Sequence, residues 1–253
     1  MADTLVSTVT KEMLTASQKI HNGFPSDTAF PDAKIPSHGF EALCAVIAKH
    51  GVEQSVRLRR LHQHFTIPDG HIQLGKSIPH SRAFWTRPTP IDEVDLKNIH
   101  AYVLSLDNCL PDTGQYAPLI PSEFREGPPG NVRNISTDFV KEFVDCLRTN
   151  GLENMFGLEL REAPDRTMIE FSFHTASLLL GDEDVRAEVR QQAVLQVTGW
   201  AVAVKDGNVL STGEKRCAVL ADGVHRPLTN TKFNDASDAL KYLQEKGYIS
   251  KMN

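Results

Sequence analysis

The sequence predicts an α+β fold with a mainly antiparallel, curved or barrel-like sheet and packed helices. Three observations carry this. Extended segments come in pairs around turn dipeptides such as Asp206-Gly207, helical stripes cluster near the ends and the middle, and no strand, glycine loop and helix unit recurs. The last point sets aside a dinucleotide-binding fold, so no nucleotide cofactor is expected. With 253 residues, 40% of them hydrophobic, the chain can bury a core without disulfides, and one domain spanning 1–253 is the expectation.

Leu5, Val9, Met13, Ala16 and Ile20 recur at near-helical spacing, so a first amphipathic helix is expected, followed by a proline-marked loop over 23–36. A second helix begins at Ser37, carries Phe40, Leu43, Cys44 and Ile47 on one face, and stops at Gly51. Residues 56–67 fit helix or strand. The turn formers Pro68-Asp69-Gly70 before alternating His71-Ile72-Gln73-Leu74 favour a strand and a hairpin. Extended segments follow at 83–86 and 99–106, separated by the proline-marked 87–90. The stretch 107–134 reads as a long loop, either a lid or a surface excursion.

Ser136 or Thr137 caps the clearest helix, with Phe139, Val140, Phe143, Val144 and Leu147 as its stripe and Asn150-Gly151 as its end. Residues 167–177 alternate strictly, with Ile169, Phe171 and Phe173 on one face and Glu170, Ser172 and His174 on the other. A short helix at 185–192 leads to strand 194–204, which turns at Asp206-Gly207 and returns through Val209 and Leu210. A last helix is capped by Asn234 and ended by Gly247. No internal repeat stands out.

A formal charge of −5 argues against a nucleic-acid partner, which would need clustered Lys and Arg. The opening residues lack a signal-peptide pattern and no apolar run reaches the roughly 20 residues of a membrane helix, so a cytoplasmic chain with no membrane partner is expected. Cys44, Cys109, Cys146 and Cys217 are scattered, as reduced cysteines are.

No familiar catalytic motif is present, so chemistry must come from constellations. On a strand, His62 and His64 point the same way and could ligate a metal or act as an acid/base pair. Arg60 shares their face and could hold an anionic group. The bland alternative is a solvated strand face with Leu61 and Phe65 in the core. Glu170, Ser172 and His174 form a second mixed row, suited either to a pocket or to a wet sheet face. If both polar faces turn inward, His62, His64, His174 and Glu170 converge as catalytic groups, and the three histidines become ligands for one divalent ion, zinc or iron. Ser172 and Trp200 complete the expected substrate contacts. Trp200 and Trp85 could equally be core. Cys217 and His225, flanking Asp222-Gly223, form a weaker pair, read as a buried structural cysteine and a surface histidine.

The Leu61-His62-Gln63-His64-Phe65 element before Pro68-Asp69-Gly70 resembles uncharacterised filamentous-fungal proteins carrying Leu-His-x-His-Phe. It differs in having Gln63 between the histidines and His71 after the turn. The resemblance implies a place in secondary metabolism.

These expectations combine into a small-molecule enzyme of the lyase, isomerase or hydrolase type with a histidine/carboxylate or metal-assisted pocket. A non-catalytic domain binding a small molecule or a protein is the alternative.

Overall fold

The computed structural model describes residues 9–26, 37–79, 83–106, 119–129, 135–161, 166–192, 194–219 and 227–250. The described helices are α1 (Lys11–Asn22), α2 (Ser37–Lys49), α3 (Thr137–Thr149), α4 (Ala187–Gln192) and α5 (Ala236–Glu245). The described strands are β1 (Val56–Arg60), β2 (His71–Ser77), β3 (Phe84–Pro90), β4 (Ile99–Leu106), β5 (Leu119–Glu126), β6 (Phe156–Leu160), β7 (Met168–Ser172), β8 (Ser177–Gly181), β9 (Val194–Lys205) and β10 (Asn208–Val219). They close into one barrel in the order β1-β6-β4-β5-β2-β3-β8-β7-β10-β9. The sheet is mixed, because β2 with β5 and β7 with β10 run parallel while the other ladders run antiparallel.

Apolar residues of the strands point outward and meet the helices. Val56 and Leu58 of β1 with Phe156, Leu158 and Leu160 of β6 pack with Leu43 and Ile47 of α2 and Phe139, Phe143 and Leu147 of α3. Trp85, Ile169, Phe171, Leu178 and Leu180 pack with Ala239 and Leu243 of α5, and Ile72, Leu74 and Phe124 with Leu14 of α1. Alternation then sends the opposite side chains into the lumen, and there they are polar: Arg57, Arg59, Gln73, Arg125, Glu159, Glu170, Ser172, Thr198, Lys215 and Cys217, all buried.

Several local expectations need correction. β1 ends at Arg60, so 61–67 is not strand. Hydrogen bonds to α1 and its exit hold this segment off the sheet: Gln63 N donates to Pro25 O, and Asn22 donates to Ile67 O and accepts from Ile67 N. The turn at Gly70 (φ 70°) leads into β2, but β2 pairs with β3 and β5, so no hairpin joins it to β1. β3 runs through Pro88 and Pro90, which the sheet tolerates because β8 covers only Phe84, Trp85 and Thr86. Part of the expected long loop is β5; 107–118 and 130–134 lie outside the described residues. Strand 167–177 breaks after Ser172, and Phe173 N bonds Ala176 O across a tight turn into β8. Asp235, rather than Asn234, caps α5 by accepting from Asp238 N at 3.0 Å.

The element order also repeats, which the sequence reading did not find. Helix, three strands, a 3-10 turn and two strands occur as α2 to β5 and again as α3 to β10, with only α4 added. The β1–β6 ladder is centred on Leu58↔Leu158, with Val56↔Leu160 and Arg60↔Phe156 on either side. Leu61 N bonds Met155 O and Arg161 N bonds Ser55 O, both at 2.9 Å, and Gly51 and Gly151 have φ of 62° and 63°. The second ladders match too: Val103↔Glu123 is flanked by register shifts as Gly199↔Lys215 is, and Gly75 faces Arg125 as Glu170 faces Cys217. The barrel is thus two similar halves related by a pseudo-two-fold axis.

Candidate functional site

His62 and His64 follow the end of β1, where the chain leaves the ladder and both rings turn together, 4.8 Å apart and edge to face. Glu170 comes from the inner face of β7 and Cys217 from that of β10, its neighbour by pairing. One ligand atom from each of these four residues lies within 4.8 Å of the others. The contacts run His62 Nε2 to Cys217 Sγ at 3.7 Å, Cys217 Sγ to Glu170 Oε2 at 3.6 Å and His64 Nε2 to Glu170 Oε1 at 3.8 Å. Bonds of about 2.0–2.3 Å around a tetrahedral ion put neighbouring ligand atoms roughly 3.3–3.8 Å apart; the three contacts fall in that range through two different oxygens of Glu170, while one atom from each residue spreads to 4.8 Å, wider than a closed tetrahedral site. His62 Nδ1 lies 3.0 Å from the Arg60 carbonyl oxygen, which can only accept, so Nδ1 carries the proton and Nε2 faces the group with its lone pair.

A buried ion network surrounds the four. Glu170 Oε2 is 3.4 Å from Arg59 and 3.6 Å from Lys215. Lys215 and Arg57 reach Glu159 at 3.4 and 3.5 Å, and Arg57 and Arg161 reach Glu214 at 3.6 and 3.5 Å. Thr198 Oγ1 accepts from Arg59 and is 3.6 Å from Cys217 Sγ.

These surroundings set the protonation states. Burial pushes His62 well below its ordinary range, aided by His64 and Arg59, and pushes His64 down to about 4. Both imidazoles are therefore neutral, the form that ligates metal. Burial acts to raise Glu170, but Lys215 and Arg59 overcome it and hold the carboxylate well below its ordinary range. Burial, with Glu170 beside it, pushes the Cys217 thiol up to about 12.

The remaining expected residues separate. His174 sits exposed on the β7–β8 turn and is not in the group, because the strand that was to carry it inward ends at Ser172. Ser172 is buried on the inner face of β7, two residues from Glu170, and its Oγ has no partner within the described residues. Arg60, the last residue of β1, contributes its carbonyl to His62. Trp200 is not in the lumen: it packs with Phe40 of α2 and Phe156 of β6, at 5.3 and 5.9 Å, in the outer core. His225 lies outside the described residues.

Sequence reasoning missed Cys217 as a member of the group, and Arg57, Arg59, Glu159 and Lys215 around it. The alternation of Lys215 and Cys217, and of Gln196 and Thr198 on the strand that pairs with theirs, was the available signal. Compared with models of protein families, with curated proteins and with solved structures, the chain shows no significant match.

Proposed function

We propose that the chain is a small-molecule enzyme of the lyase, isomerase or hydrolase type, with a divalent ion, zinc or iron, held by His62, His64 and Glu170 as its reacting centre. The observation that carries this is the convergence of four donor atoms within 4.8 Å at one wall of a polar lumen. Two neutral imidazoles and a carboxylate already stand in the ligand form, and they are a donor set that suits either metal. Cys217 is the fourth donor if it loses its proton. While it stays a thiol, three ligands leave positions open for water and substrate, as catalytic sites require. A bound ion would supply Lewis acidity, and the neighbouring Lys215 could carry a proton to or from the substrate.

Metal-free acid–base chemistry is the second reading, favoured by the two cations on Glu170 Oε2, which oppose a dication there. On either reading the chemistry would belong to secondary metabolism, as the Leu61 to Phe65 resemblance implies.

The test is a screen of small carbonyl compounds and esters with wild-type protein, metal-stripped protein and a folded His62→Ala/His64→Ala variant. Turnover that falls by orders of magnitude in the last two supports the metal reading, and turnover retained after stripping supports the second. Saturable binding with no turnover in any sample would make this a non-catalytic binding domain.

A further inference from the structure

The end of the β9–β10 hairpin stands clear of the barrel. β9 pairs with β1 only at Gly199 and Trp200, and β10 pairs with β7 only from Lys215 to Cys217. The two strands nevertheless stay paired with each other from Ala201↔Thr212 out to Asn208↔Lys205. Residues 203–212 are exposed throughout. Among the described residues the exposed large hydrophobics are Val204 at 51%, Leu210 at 47% and Val209 at 42%, all on this ribbon. An isolated two-stranded ribbon is marginal in water, and further strands with an apolar face are what steady it.

The apolar row runs out of the core. Alternation puts Trp200, Val202 and Val204 on one face of β9. Trp200 and Val202 pack in the outer core with Phe40 of α2, whereas Val204 and its cross-strand partner Val209 are exposed. The edge of β10 is undefended as well. From Gly207 to Gly213 it carries no charge and no proline, the usual guards of a free edge. Asp206 and Gly207, with φ of 51° and 77°, make a two-residue turn. The flanking Lys205 and Asn208 therefore exchange hydrogen bonds, and Val209 and Ser211 aim their N–H and C=O groups away from β9. Among the described residues no strand pairs with that side of 208–213.

We propose that this edge binds a second copy of the chain, β10 pairing antiparallel with its counterpart about a two-fold axis at Leu210. The edge itself names the occupant. A strand paired antiparallel with its own copy is in register by symmetry, and the contact closes on two chains instead of running on. Leu210 then meets its counterpart in a non-hydrogen-bonded pair, where side chains approach closest, and Val209 exchanges hydrogen bonds with the counterpart of Ser211. The two hairpins become one four-stranded ribbon, with Val204 and Val209 of both copies on a single face. Charge favours the same arrangement. Each chain carries −5, so two copies approach best through a neutral segment, and an edge without charges has nothing with which to select a charged partner. A contact through one strand edge falls below the roughly 1,200 Å² at which stable interfaces begin, so a dimer of micromolar affinity is expected. The inference is independent of the reading of His62, His64 and Glu170 as a reacting centre.

The experiment is sedimentation velocity from low to high micromolar concentration at neutral pH, with the folding of every variant checked by circular dichroism. Wild type is expected to pass from monomer to dimer. Leu210→Lys sets like charges against each other on the axis, and Val209→Pro removes an N–H that the hairpin itself does not use. Each should weaken the dimer about tenfold or more. On mild oxidation Leu210→Cys should form a disulfide-linked dimer far more efficiently than wild type or Lys241→Cys, whose residue lies on the exposed face of α5. If Val209→Pro does not fold, the other two Leu210 variants carry the test. A wild type that stays monomeric throughout, association that grows beyond two chains, a dimer unaffected by Leu210→Lys, or cross-linking of Leu210→Cys no better than that of Lys241→Cys overturns the inference.

Discussion

His62 Nδ1 lies 3.0 Å from the carbonyl oxygen of Arg60, so the backbone at the end of β1 decides which nitrogen of His62 faces Cys217 and Glu170. Nitrogen-detected NMR at pH 7 should find His62 neutral with the proton on Nδ1, and still neutral at pH 5.5, because burial holds its pKa down. A proton on Nε2 would contradict the arrangement.

Acid should destabilise the fold early. His21 is buried and held at about 4, and His62 and His64 are depressed likewise, so the unfolded chain binds protons that the folded chain does not. Their contribution is complete above the unfolded value near 6.5 and is lost as pH falls toward about 4. For His21 alone this is roughly 3 kcal/mol. Glu159, held at about 2 by Lys215, Arg57 and Arg59 against the effect of burial, extends the loss below pH 4.5 in the same direction. Urea denaturation midpoints should therefore drop steadily from pH 7 to pH 4; a flat profile would show the histidines to be solvated.

Glu159→Gln should cost about 3–5 kcal/mol, because it leaves Arg57, Arg59 and Lys215 buried with one carboxylate fewer. Equilibrium unfolding measures this. A change under 1 kcal/mol would mean that water reaches the lumen cations and screens them.

Asn22→Ala removes the side chain that bonds both N and O of Ile67, and with it an anchor of the segment carrying His62 and His64. A loss of about 1–3 kcal/mol is expected. Amide exchange at Ile67 should accelerate, and affinity for zinc should fall several-fold. Unchanged exchange would show that Gln63, bonded to Asn22 O and Phe24 O, suffices alone.

Much of the frame was legible in the sequence, because it rests on local signals. The Asp206-Gly207 turn (φ 51° and 77°), the Ser136 cap and the alternation of Ile169, Glu170, Phe171 and Ser172 all act within a few residues. The site was legible only in part. His62, His64 and Glu170 were read by period-two reasoning, yet the two histidines come together after the strand has ended at Arg60, whose carbonyl holds His62 Nδ1. β1 alternates Val56 and Leu58 with Arg57 and Arg59, but its charged side is buried in the lumen, where alternation alone reads a solvated face. Cys217 was passed over because its partners lie on β7 and beyond β1, distances in sequence that no spacing rule spans. Trp200 showed the reverse failure, since a large ring beside Gly199 marks packing against Phe40 as readily as a pocket. The duplication was hidden because a backbone plan survives substitution: Arg59 and Glu159 occupy equivalent places with opposite charge, and little beyond the turns at Gly51 and Gly151 remains alike.

The most direct test is metal content. Wild-type protein, stripped and then reconstituted separately with zinc and with ferrous iron, is measured by elemental analysis beside Glu170→Gln and Cys217→Ser variants checked for folding. One ion per chain in wild type, lost in Glu170→Gln and retained in Cys217→Ser, is the predicted result. No stoichiometric uptake of either metal by folded wild-type protein would contradict the account.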